Sequence, residues 1–217
     1  MPNKTIYAIP GLGVDERIFY DLELEAKMVY LNWIDPRPHD SASSYARRLA
    51  EKIEHEEDCI LMGLSFGGVM AQEIARIRPV KKMILLSTMK SSAEKPFQMA
   101  FMRHIPLYYL SKGNWRVEFF AKFAPIFGIE DEADIALIKD MFLQFDDAYR
   151  MWAIKTICGW EGEEPQLPYI HIHGNKDKVF PISNIKEPVV VKGGNHYMVK
   201  QRAKEISELI NHWLDTI

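Results

Sequence analysis

The chain has 217 residues, of which 47% are hydrophobic and 26% are charged, and its formal net charge is −3. This length and composition are typical of one globular unit with a sizeable core, and the weak negative charge excludes the strongly basic surface that nucleic-acid binding requires. No apolar segment is long enough for a signal peptide or a membrane span, so we expect a cytoplasmic protein. We expect the two cysteines, Cys59 and Cys158, to form no disulfide.

Strand-like apolar runs alternate with helical periodicities along the chain. Strands are predicted at residues 5–9, 28–32, 59–64, 82–87, 169–173 and 188–191, and the clearest helices at 43–55 and 200–214. This alternation predicts a parallel sheet. Because such sheets bind their ligands at the carboxyl ends of the strands, the residues that follow each strand are the functional candidates.

The first predicted strand is followed by Pro-Gly-Leu-Gly at positions 10–13. Two glycines allow this backbone to pass close to a bound group and to present N–H donors to it. The segment is therefore a candidate for half of an oxyanion hole, although an ordinary glycine-rich connecting turn has the same composition. A phosphate-binding loop is disfavoured, because no Gly-Lys-Ser/Thr follows and no third glycine has the dinucleotide spacing.

The third predicted strand ends in Gly-Leu-Ser-Phe-Gly at positions 63–67, and a helical pattern begins at once and continues to Pro79. The flanking glycines permit a sharp strand-to-helix turn that presents the Ser65 hydroxyl, which makes Ser65 a candidate nucleophile. The helix N-terminus beneath it, with the Phe66 N–H as a second oxyanion donor, favours the negative charge that develops when an acyl carbonyl is attacked. The alternative is a serine in a glycine-rich turn without catalytic function.

A long insertion separates the fourth and fifth predicted strands. Residues 97–160 hold 14 of the chain's 25 aromatic residues, and helical spacing relates the rings at 97 and 101 and those at 115, 119, 120 and 123. We expect several short helices here. Most of the rings would pack the insertion's own core, and some would line an apolar pocket that favours acyl or aryl groups over highly charged substrates.

Acid and base candidates follow the last two predicted strands. Asp177 lies on a loop just past the fifth strand, where a carboxylate can orient a histidine, and a Gly-Gly-Asn segment leads to His196 after the last strand. The order Ser65, Asp177, His196 is the one found where a strand-to-helix elbow carries the nucleophile.

Other titratable residues offer alternatives. Asp146 and Asp147 compete as the acid, but they fall in a helical pattern within the insertion rather than after a strand. His171 and His173 share one face of a predicted strand and could supply two metal ligands. A strand end without metal is favoured for them, because no cluster of His, Cys or Asp lies nearby in the sequence.

In these motifs the sequence resembles the α/β-hydrolase family, from residue 6 to the C-terminus with an interruption in the middle. The family's elbow appears at positions 63–67, its acid loop as His-Gly-Asn-Lys-Asp at 173–177, and its histidine loop as Gly-Gly-Asn-His at 193–196. The resemblance assigns Ser65 as nucleophile, Asp177 as acid and His196 as base. The sequence departs from the family's pattern in two places. It has Pro-Gly at positions 10 and 11, where relatives usually carry His-Gly, and the span from acid to base is short, at 19 residues.

The resemblance also implies an architecture. We expect an α/β-hydrolase fold with a mostly parallel sheet of about six strands flanked by helices, in which the family's first two strands are missing. The short span between acid and base predicts a stunted helix before the last strand. The core would comprise residues 1–87 and 166–217, and residues 88–165 would form a helical cap over the serine.

These observations predict a serine hydrolase that acts on carboxylic esters or thioesters through an acyl-enzyme, with the N–H groups of Leu12 and Phe66 as the oxyanion hole. It would need no cofactor and no metal, and its substrate would be a small molecule with an apolar acyl or aryl group. Acyl transfer and C–C bond hydrolysis use the same three residues and remain open. A second hypothesis, to which the two departures point, is a ligand-binding module that keeps the scaffold with little turnover.

Overall fold

A computed structural model describes residues 4–54, 59–102 and 124–216 of the chain. Within them lies one six-stranded sheet in the order β2-β1-β3-β4-β5-β6, and every neighbouring pair is parallel. The strands are β1 (Thr5–Ile9), β2 (Lys27–Tyr30), β3 (Cys59–Leu64), β4 (Lys82–Leu86), β5 (Tyr169–Gly174) and β6 (Val189–Val191). The predicted six-stranded parallel sheet is confirmed, and the predicted strand ends differ from the observed ones by two residues at most.

Helices connect the strands and cover both faces of the sheet. Those whose two ends both lie within the described residues are α1 (Ala42–Ala50), α2 (Phe66–Ala75), α3 (Phe97–Met102), α4 (Glu132–Leu143), α5 (Asp147–Gly159), α6 (Met198–Gln201) and α7 (Ala203–Asp215). Side-chain hydrogen bonds cap the N-termini of three helices. Ser41 and Ser44 form a capping box on α1, and Asp131 and Asp146 accept hydrogen bonds from the first-turn amides of α4 and α5.

Two predicted helices differ from the observed ones. The helix expected over 43–55 ends at Ala50, and residue 55 lies outside the described residues. The helix expected over 200–214 starts earlier and is divided into α6 and α7, because Arg202 leaves the helical conformation with φ −122° and ψ 30°. The division allows Met198 of α6 and Ile206 of α7 to be fully buried in the same core.

The strands bury side chains on alternate faces, which gives two cores and three layers. One core joins Tyr7, Ile9 and Leu61 to helices α1, α2 and α5, and the other joins Ile6, Ala8 and Met62 to α4, α6 and α7. Helix α5 belongs to the insertion between β4 and β5, yet it packs in the same core as the sheet. The expectation that most of the insertion's rings pack the insertion's own core is therefore wrong for Tyr149 and Trp160, which are buried in the core that contains Tyr7.

The link between β5 and β6 is short. Its only described helical segment is the single 3₁₀ turn Ile182–Asn184, which confirms the prediction of a stunted helix before the last strand. Because β1, β3, β5 and β6 are parallel, the loops that follow them open at one edge of the sheet. This edge brings together the residues singled out in the sequence.

Candidate active site

Ser65 occupies the turn between β3 and α2. Its backbone has φ 52° and ψ −118°, a conformation that costs a non-glycine residue on the order of 1–3 kcal/mol. The turn is held by three hydrogen bonds: the Ser65 N–H donates to the Leu86 carbonyl at 2.9 Å, and the Ser65 carbonyl accepts from Thr88 Oγ1 at 2.7 Å and from the Gly68 N–H at 2.9 Å. The turn therefore presents a partly exposed hydroxyl from a fixed backbone.

Glycines are required around Ser65 because backbone segments meet there. A Cβ atom at Gly63 would lie closer than 3.0 Å to the backbone of Gly67 and Gly68, and one at Gly67 would lie closer than 3.0 Å to the carbonyl of Ile9. The start of α2 thus contacts the end of β1 directly. This contact explains the Gly-x-Ser-x-Gly spacing by packing as well as by turn geometry.

The loop after β1 lies beside Ser65. A Cβ atom at Gly11 would be 3.7 Å from Ser65 Cβ, and the Gly11 carbonyl accepts hydrogen bonds from Trp33 Nε1 at 2.9 Å and from the Val14 N–H at 3.3 Å. Leu12 follows Gly11 in this loop. Phe66 is the first residue of α2, so its N–H is one of the amides that helix geometry leaves without an intrahelical acceptor. The two predicted oxyanion donors therefore lie on the two backbone segments that flank Ser65.

His196 lies between Ser65 and Asp177. Its Nε2 lies 2.9 Å from Ser65 Oγ, and its Nδ1 lies 2.8 Å from Asp177 Oδ2. A carboxylate can only accept, so Nδ1 carries the proton and Nε2 is the acceptor that faces the serine hydroxyl. The imidazole is 8% exposed and packs against the rings of Phe127 and Phe180. This is the geometry of a general base that is oriented by an acid.

Asp177 is buried and its oxygens are satisfied. Oδ1 accepts from the N–H groups of Val179 at 2.8 Å and Phe180 at 2.9 Å, while Oδ2 faces His196. Burial alone would raise the pKa of Asp177. The electrostatic interaction and hydrogen bond with His196 outweigh this effect, together with the nearby His173 and the Phe180 N–H, and the pKa is lowered. The group is therefore held as a carboxylate.

The acid and histidine loops also contact each other through their glycines. A Cβ atom at Gly174 would be closer than 3.0 Å to the Gly194 carbonyl, and that carbonyl accepts from the Lys176 N–H at 2.8 Å. Gly193 has φ 76°, and its N–H donates to the Asn175 side chain at 2.7 Å. Two adjacent loops thus accommodate the short span between Asp177 and His196, and His196 still lies within hydrogen-bond distance of both Asp177 and Ser65.

The two β5 histidines lie behind the site. His171 Nε2 lies 2.9 Å from the Thr88 carbonyl, and His173 Nε2 lies 2.8 Å from the Phe180 carbonyl. Burial lowers the pKa of His171 to about 3 and also lowers the pKa of His173, so both are neutral and both donate from Nε2. Each histidine supports a residue of the candidate site, because Thr88 holds the Ser65 carbonyl and Phe180 contacts Asp177 and His196. Within the described residues, no group of three or more His, Cys, Asp or Glu has the arrangement of a metal site.

The competing acids have other partners. Asp146 caps α5 by accepting from the Tyr149 N–H at 2.7 Å, and Asp147 pairs with Arg150. Asp177, by contrast, is the carboxylate that pairs with His196. Cys59 and Cys158 are both buried and form no disulfide.

The described part of the insertion contributes aromatic rings near the site. Phe127 contacts His196, and the rings of Tyr149 and Trp152 pack with Trp33 and Phe66 on the α2 side. Phe97 is 80% exposed. The remaining predicted rings of the insertion lie outside the described side chains, namely Phe101, Trp115, Phe119, Phe120 and Phe123.

Two supporting residues were missed in the sequence, Trp33 and Thr88. Trp33 holds the Gly11 carbonyl and stacks on Phe66 with ring centroids 5.1 Å apart, while Thr88 holds the Ser65 carbonyl. Both follow strands, β2 and β4, at the same edge of the sheet. The principle that directed attention to the loops after the other strands could have found them.

A parallel sheet with a serine at a strand-to-helix turn, and with His196 and Asp177 in line behind it, is the arrangement of an α/β-hydrolase. The sequence model of the alpha/beta hydrolase family matches residues 6–209, and the chain belongs to this family. No curated protein sequence matches it.

Solved structures of hydrolases share the fold. An esterase from Thermogutta terrifontis is 16% identical with a TM-score of 0.70, over 97% of this chain and 89% of that one. An esterase from Exiguobacterium antarcticum is 14% identical with a TM-score of 0.76, over 99% and 92%. The N-acyl homoserine lactonase AidH, solved as a mutant with N-hexanoyl homoserine, is 16% identical with a TM-score of 0.72, over 98% and 89%.

In the described part of the chain, no helix is both long enough and apolar enough to cross a bilayer.

Proposed function

We propose that this hydrolase acts on carboxylic esters or thioesters through a covalent acyl-enzyme on Ser65. The observation that carries the proposal is the position of His196, whose two ring nitrogens lie 2.9 Å from Ser65 Oγ and 2.8 Å from Asp177 Oδ2. Ser65 is the nucleophile, His196 the general base and acid, and Asp177 the group that orients the imidazole and stabilises its protonated form.

The proposed reaction uses protein groups and water. As Ser65 Oγ attacks the acyl carbon, its proton moves to His196 Nε2 and the carbonyl oxygen becomes an oxyanion. Collapse of this intermediate expels the alcohol or thiol, which takes the proton from Nε2, and leaves the acyl-Ser65 ester. Water then attacks this ester with Nε2 again as base, which releases the carboxylic acid and restores the serine.

The N–H groups of Leu12 and Phe66 are the proposed oxyanion donors, and one such donor typically contributes about 3–4 kcal/mol to transition-state stabilisation. The backbone contacts at the site support the assignment of these two donors. Trp33 fixes the carbonyl of Gly11, the residue before Leu12, while Phe66 begins α2. Neither segment can move away without breaking the contact of Gly67 with Ile9.

We further propose that residues 88–165 act as a cap on a core of residues 1–87 and 166–217. The contact of Phe127 with His196 supports this division, because a residue of the insertion then borders the reacting groups. Apolar acyl or aryl groups are the proposed substrate class, in keeping with the esterases and the acyl homoserine lactonase that share the fold. The cytoplasmic location stays a prediction from the sequence.

A fluorophosphonate probe tests the nucleophile without knowledge of the substrate, because it reacts with activated serines. The protein is incubated with the probe, and the adduct is located by peptide mass spectrometry, with Ser65→Ala as the matched control. We expect one adduct, on Ser65, and none in the variant. A series of p-nitrophenyl esters of increasing acyl length, assayed with both proteins, then defines the substrate preference.

Two results would contradict the proposal. A folded protein that takes no label and hydrolyses none of the esters would favour a ligand-binding module on the hydrolase scaffold. Ester hydrolysis that persists in Ser65→Ala would assign the nucleophile elsewhere. Product analysis in the presence of added alcohols or thiols separates hydrolysis from acyl transfer.

A further inference from the structure

A helical segment of the insertion ends against the histidine loop. Residues 124–127 are helical, and Gly128 follows with φ 82°, the left-handed conformation in which many helices end. The Gly128 N–H donates to the Pro125 carbonyl at 3.2 Å. The Ile129 N–H donates to the Ala124 carbonyl at 3.1 Å, and the two bonds together form a Schellman motif. The end of this segment is therefore a defined turn.

The carbonyl groups at this turn accept hydrogen bonds from the histidine loop and the adjoining α6. The Phe127 carbonyl accepts from the Tyr197 N–H at 3.1 Å. The Gly128 carbonyl accepts from Asn195 Nδ2 at 3.1 Å and from Gln201 Nε2 at 2.9 Å. Because the last carbonyls of a helix lack donors from the helix itself, the histidine loop supplies what this segment of the insertion needs at its end.

Asn195 is central to this contact because both ends of its amide are used. Its Oδ1 accepts from the Tyr197 N–H at 2.9 Å, which closes the turn around His196. Its Nδ2 donates to the Gly128 carbonyl and, at 2.8 Å, to Gln201 Oε1. A Cβ atom at Gly128 would lie closer than 3.0 Å to the Asn195 side chain, so the two residues are in direct contact. One side chain thus shapes the turn that carries the base and binds the insertion to it.

The contact places the ring of Phe127 beside the imidazole. The ring centroids of Phe127 and His196 are 5.7 Å apart with an interplanar angle of 60°. A second ring, Phe180, lies 5.6 Å from the imidazole, but it belongs to the acid loop and is fixed there by its own N–H bond to Asp177. The position of the Phe127 ring, in contrast, depends on the hydrogen bonds between the insertion and the histidine loop.

The imidazole needs this packing because its hydrogen bond to the acid does not fix it completely. The bond from Nδ1 to Asp177 holds one ring atom, but the ring can still rotate about that atom. Such a rotation moves Nε2, which lies 2.9 Å from Ser65 Oγ. Proton transfer requires these two atoms to lie within about 2.6–3.2 Å of each other, so a small rotation is enough to slow it.

We propose that Asn195 is a positioning residue that fixes the imidazole of His196 by holding the Phe127 ring of the insertion beside it. The inference rests on the proposed ester or thioester hydrolysis. It adds that the insertion, and not the core alone, determines the position of the general base. It also assigns a function to the asparagine of the Gly-Gly-Asn-His segment, which the family resemblance leaves without one.

The leaving group of the ester reports on the position of the imidazole. The alcohol of hexyl butyrate leaves with a proton from His196 Nε2, whereas p-nitrophenolate leaves without one. A displaced imidazole should therefore slow hydrolysis of hexyl butyrate more than that of p-nitrophenyl butyrate. Loss of folded protein lowers both rates by the same factor. The ratio of the two kcat/KM values thus separates positioning from general structural damage.

Two variants weaken the contact and leave the turn in place. Asn195→Ser removes the amide that reaches Gly128, while its hydroxyl can still accept from the Tyr197 N–H. We expect kcat/KM to fall about 10-fold for hexyl butyrate and about threefold for p-nitrophenyl butyrate, a partial loss of the general acid–base contribution. Gln201 is exposed, so Gln201→Ala removes the second donor to Gly128 at little cost to the core. It should change the ratio in the same direction by a smaller factor.

Asn211→Ser is the matched control. Asn211 of α7 makes the same two kinds of bond, because its Oδ1 accepts from the Glu25 N–H at 2.9 Å and its Nδ2 donates to the Glu23 carbonyl at 2.9 Å. These bonds fix the segment before β2 and involve no residue of the candidate active site. Asn211→Ser should therefore keep the wild-type ratio of the two kcat/KM values.

A double-mutant cycle tests whether Asn195 acts through Phe127. Phe127→Ala removes the ring and should change the ratio in the same direction as Asn195→Ser does. In the Phe127→Ala protein, Asn195→Ser should lower kcat/KM for hexyl butyrate by less than about twofold further, because the ring that it held is gone.

The outcomes separate this proposal from the proposed function. Hydrolysis of both esters with an unchanged ratio in Asn195→Ser, or with an equal change in Asn211→Ser, overturns the positioning role and leaves the hydrolase intact. Full additivity of Asn195→Ser and Phe127→Ala also overturns it, because Asn195 then acts on the turn and not through the ring. Absence of Ser65-dependent hydrolysis of both esters by the wild-type protein contradicts the proposed function itself.

Discussion

His173 and Phe180 are joined by a hydrogen bond that fixes the acid loop from behind: His173 Nε2 donates to the Phe180 carbonyl at 2.8 Å. The N–H of the same Phe180 donates to Asp177, and its ring packs on His196. We predict that His173→Phe lowers kcat for ester hydrolysis about 10- to 100-fold with a smaller effect on KM, because the buried carbonyl loses its donor and the loop that orients Asp177 shifts.

Rescue by a conservative variant separates positioning from bulk stability. His173→Gln keeps an N–H donor close to the former Nε2 and should restore most of kcat, whereas His173→Phe should not. Steady-state kinetics of both variants at a temperature where circular dichroism shows them folded provide the check. Equal loss of kcat in the two variants would exclude the hydrogen bond as the cause.

His171 makes the stability of the protein dependent on pH. Burial lowers the pKa of His171 in the folded protein to about 3 from an ordinary value of 6.5. Between these two pH values the unfolded chain binds a proton at His171 and the folded chain does not. The neutral histidine's contribution is complete above pH 6.5 and is lost as the pH falls from 6.5 towards 3. We predict that wild type loses about 1–2 kcal/mol more of its free energy of unfolding between pH 7 and pH 5 than His171→Gln does. Urea denaturation at the two pH values measures this, and parallel losses would refute it.

Ser65 stores backbone strain that a glycine would release. Its φ of 52° and ψ of −118° disfavour any side chain, so Ser65→Gly should be more stable than Ser65→Ala by about 1 kcal/mol, although glycine also gains freedom in the unfolded state. Both variants should be inactive. Thermal unfolding of the pair gives the difference, and a lower Tm for Ser65→Gly would show that the turn is not strained in solution.

Gly67 cannot accept a side chain, whereas Gly159 can. A methyl group on Gly67 would meet the backbone of Ile9 and Pro10, so Gly67→Ala should cost several kcal/mol and abolish activity. Among the described residues, nothing beyond the chain neighbours and the backbone of α5 itself lies within 4 Å of a Cβ at Gly159, the last residue of α5. Gly159→Ala should therefore change stability by less than about 1 kcal/mol. The Tm values of Gly67→Ala and Gly159→Ala, each compared with wild type, test this difference. A Gly67→Ala protein as stable and active as wild type would disprove the close contact.

Asp177 should matter far more for catalysis than the acids of the insertion. We expect Asp177→Asn to reduce kcat on the order of 10³- to 10⁴-fold, because an amide cannot stabilise the imidazolium that forms as Ser65 attacks. Asp147→Asn, which only removes a pair with Arg150 on α5, should reduce it less than tenfold. Ester kinetics of both variants test the assignment, and the reverse ranking would move the acid to the insertion.

Local rules made the sheet predictable, and they also indicated that Ser65, Asp177 and His196 would lie together. Strand periodicity, the glycines around Ser65 and the loops after β5 and β6 each leave a signature within a few residues of sequence. The packing of Trp33 against Tyr149 left no such signature, because the two residues are 116 positions apart in the sequence and meet only through packing of α5 on the sheet. The role of the β5 histidines was hidden for the same reason: their acceptors are backbone carbonyls, which no residue type reveals.

The contact of Gly67 with Ile9 limits which substitutions the site tolerates: few at the backbone around Ser65, more among the side chains that surround it. Since the nucleophile turn and the β1 loop share one backbone contact, a substitution in either displaces both, and random libraries there would mostly yield inactive protein. Trp33 and α5 reach the same region through side chains alone. Evolution of new substrate preferences should therefore proceed by exchange of these side chains, with the backbone at the elbow inherited unchanged.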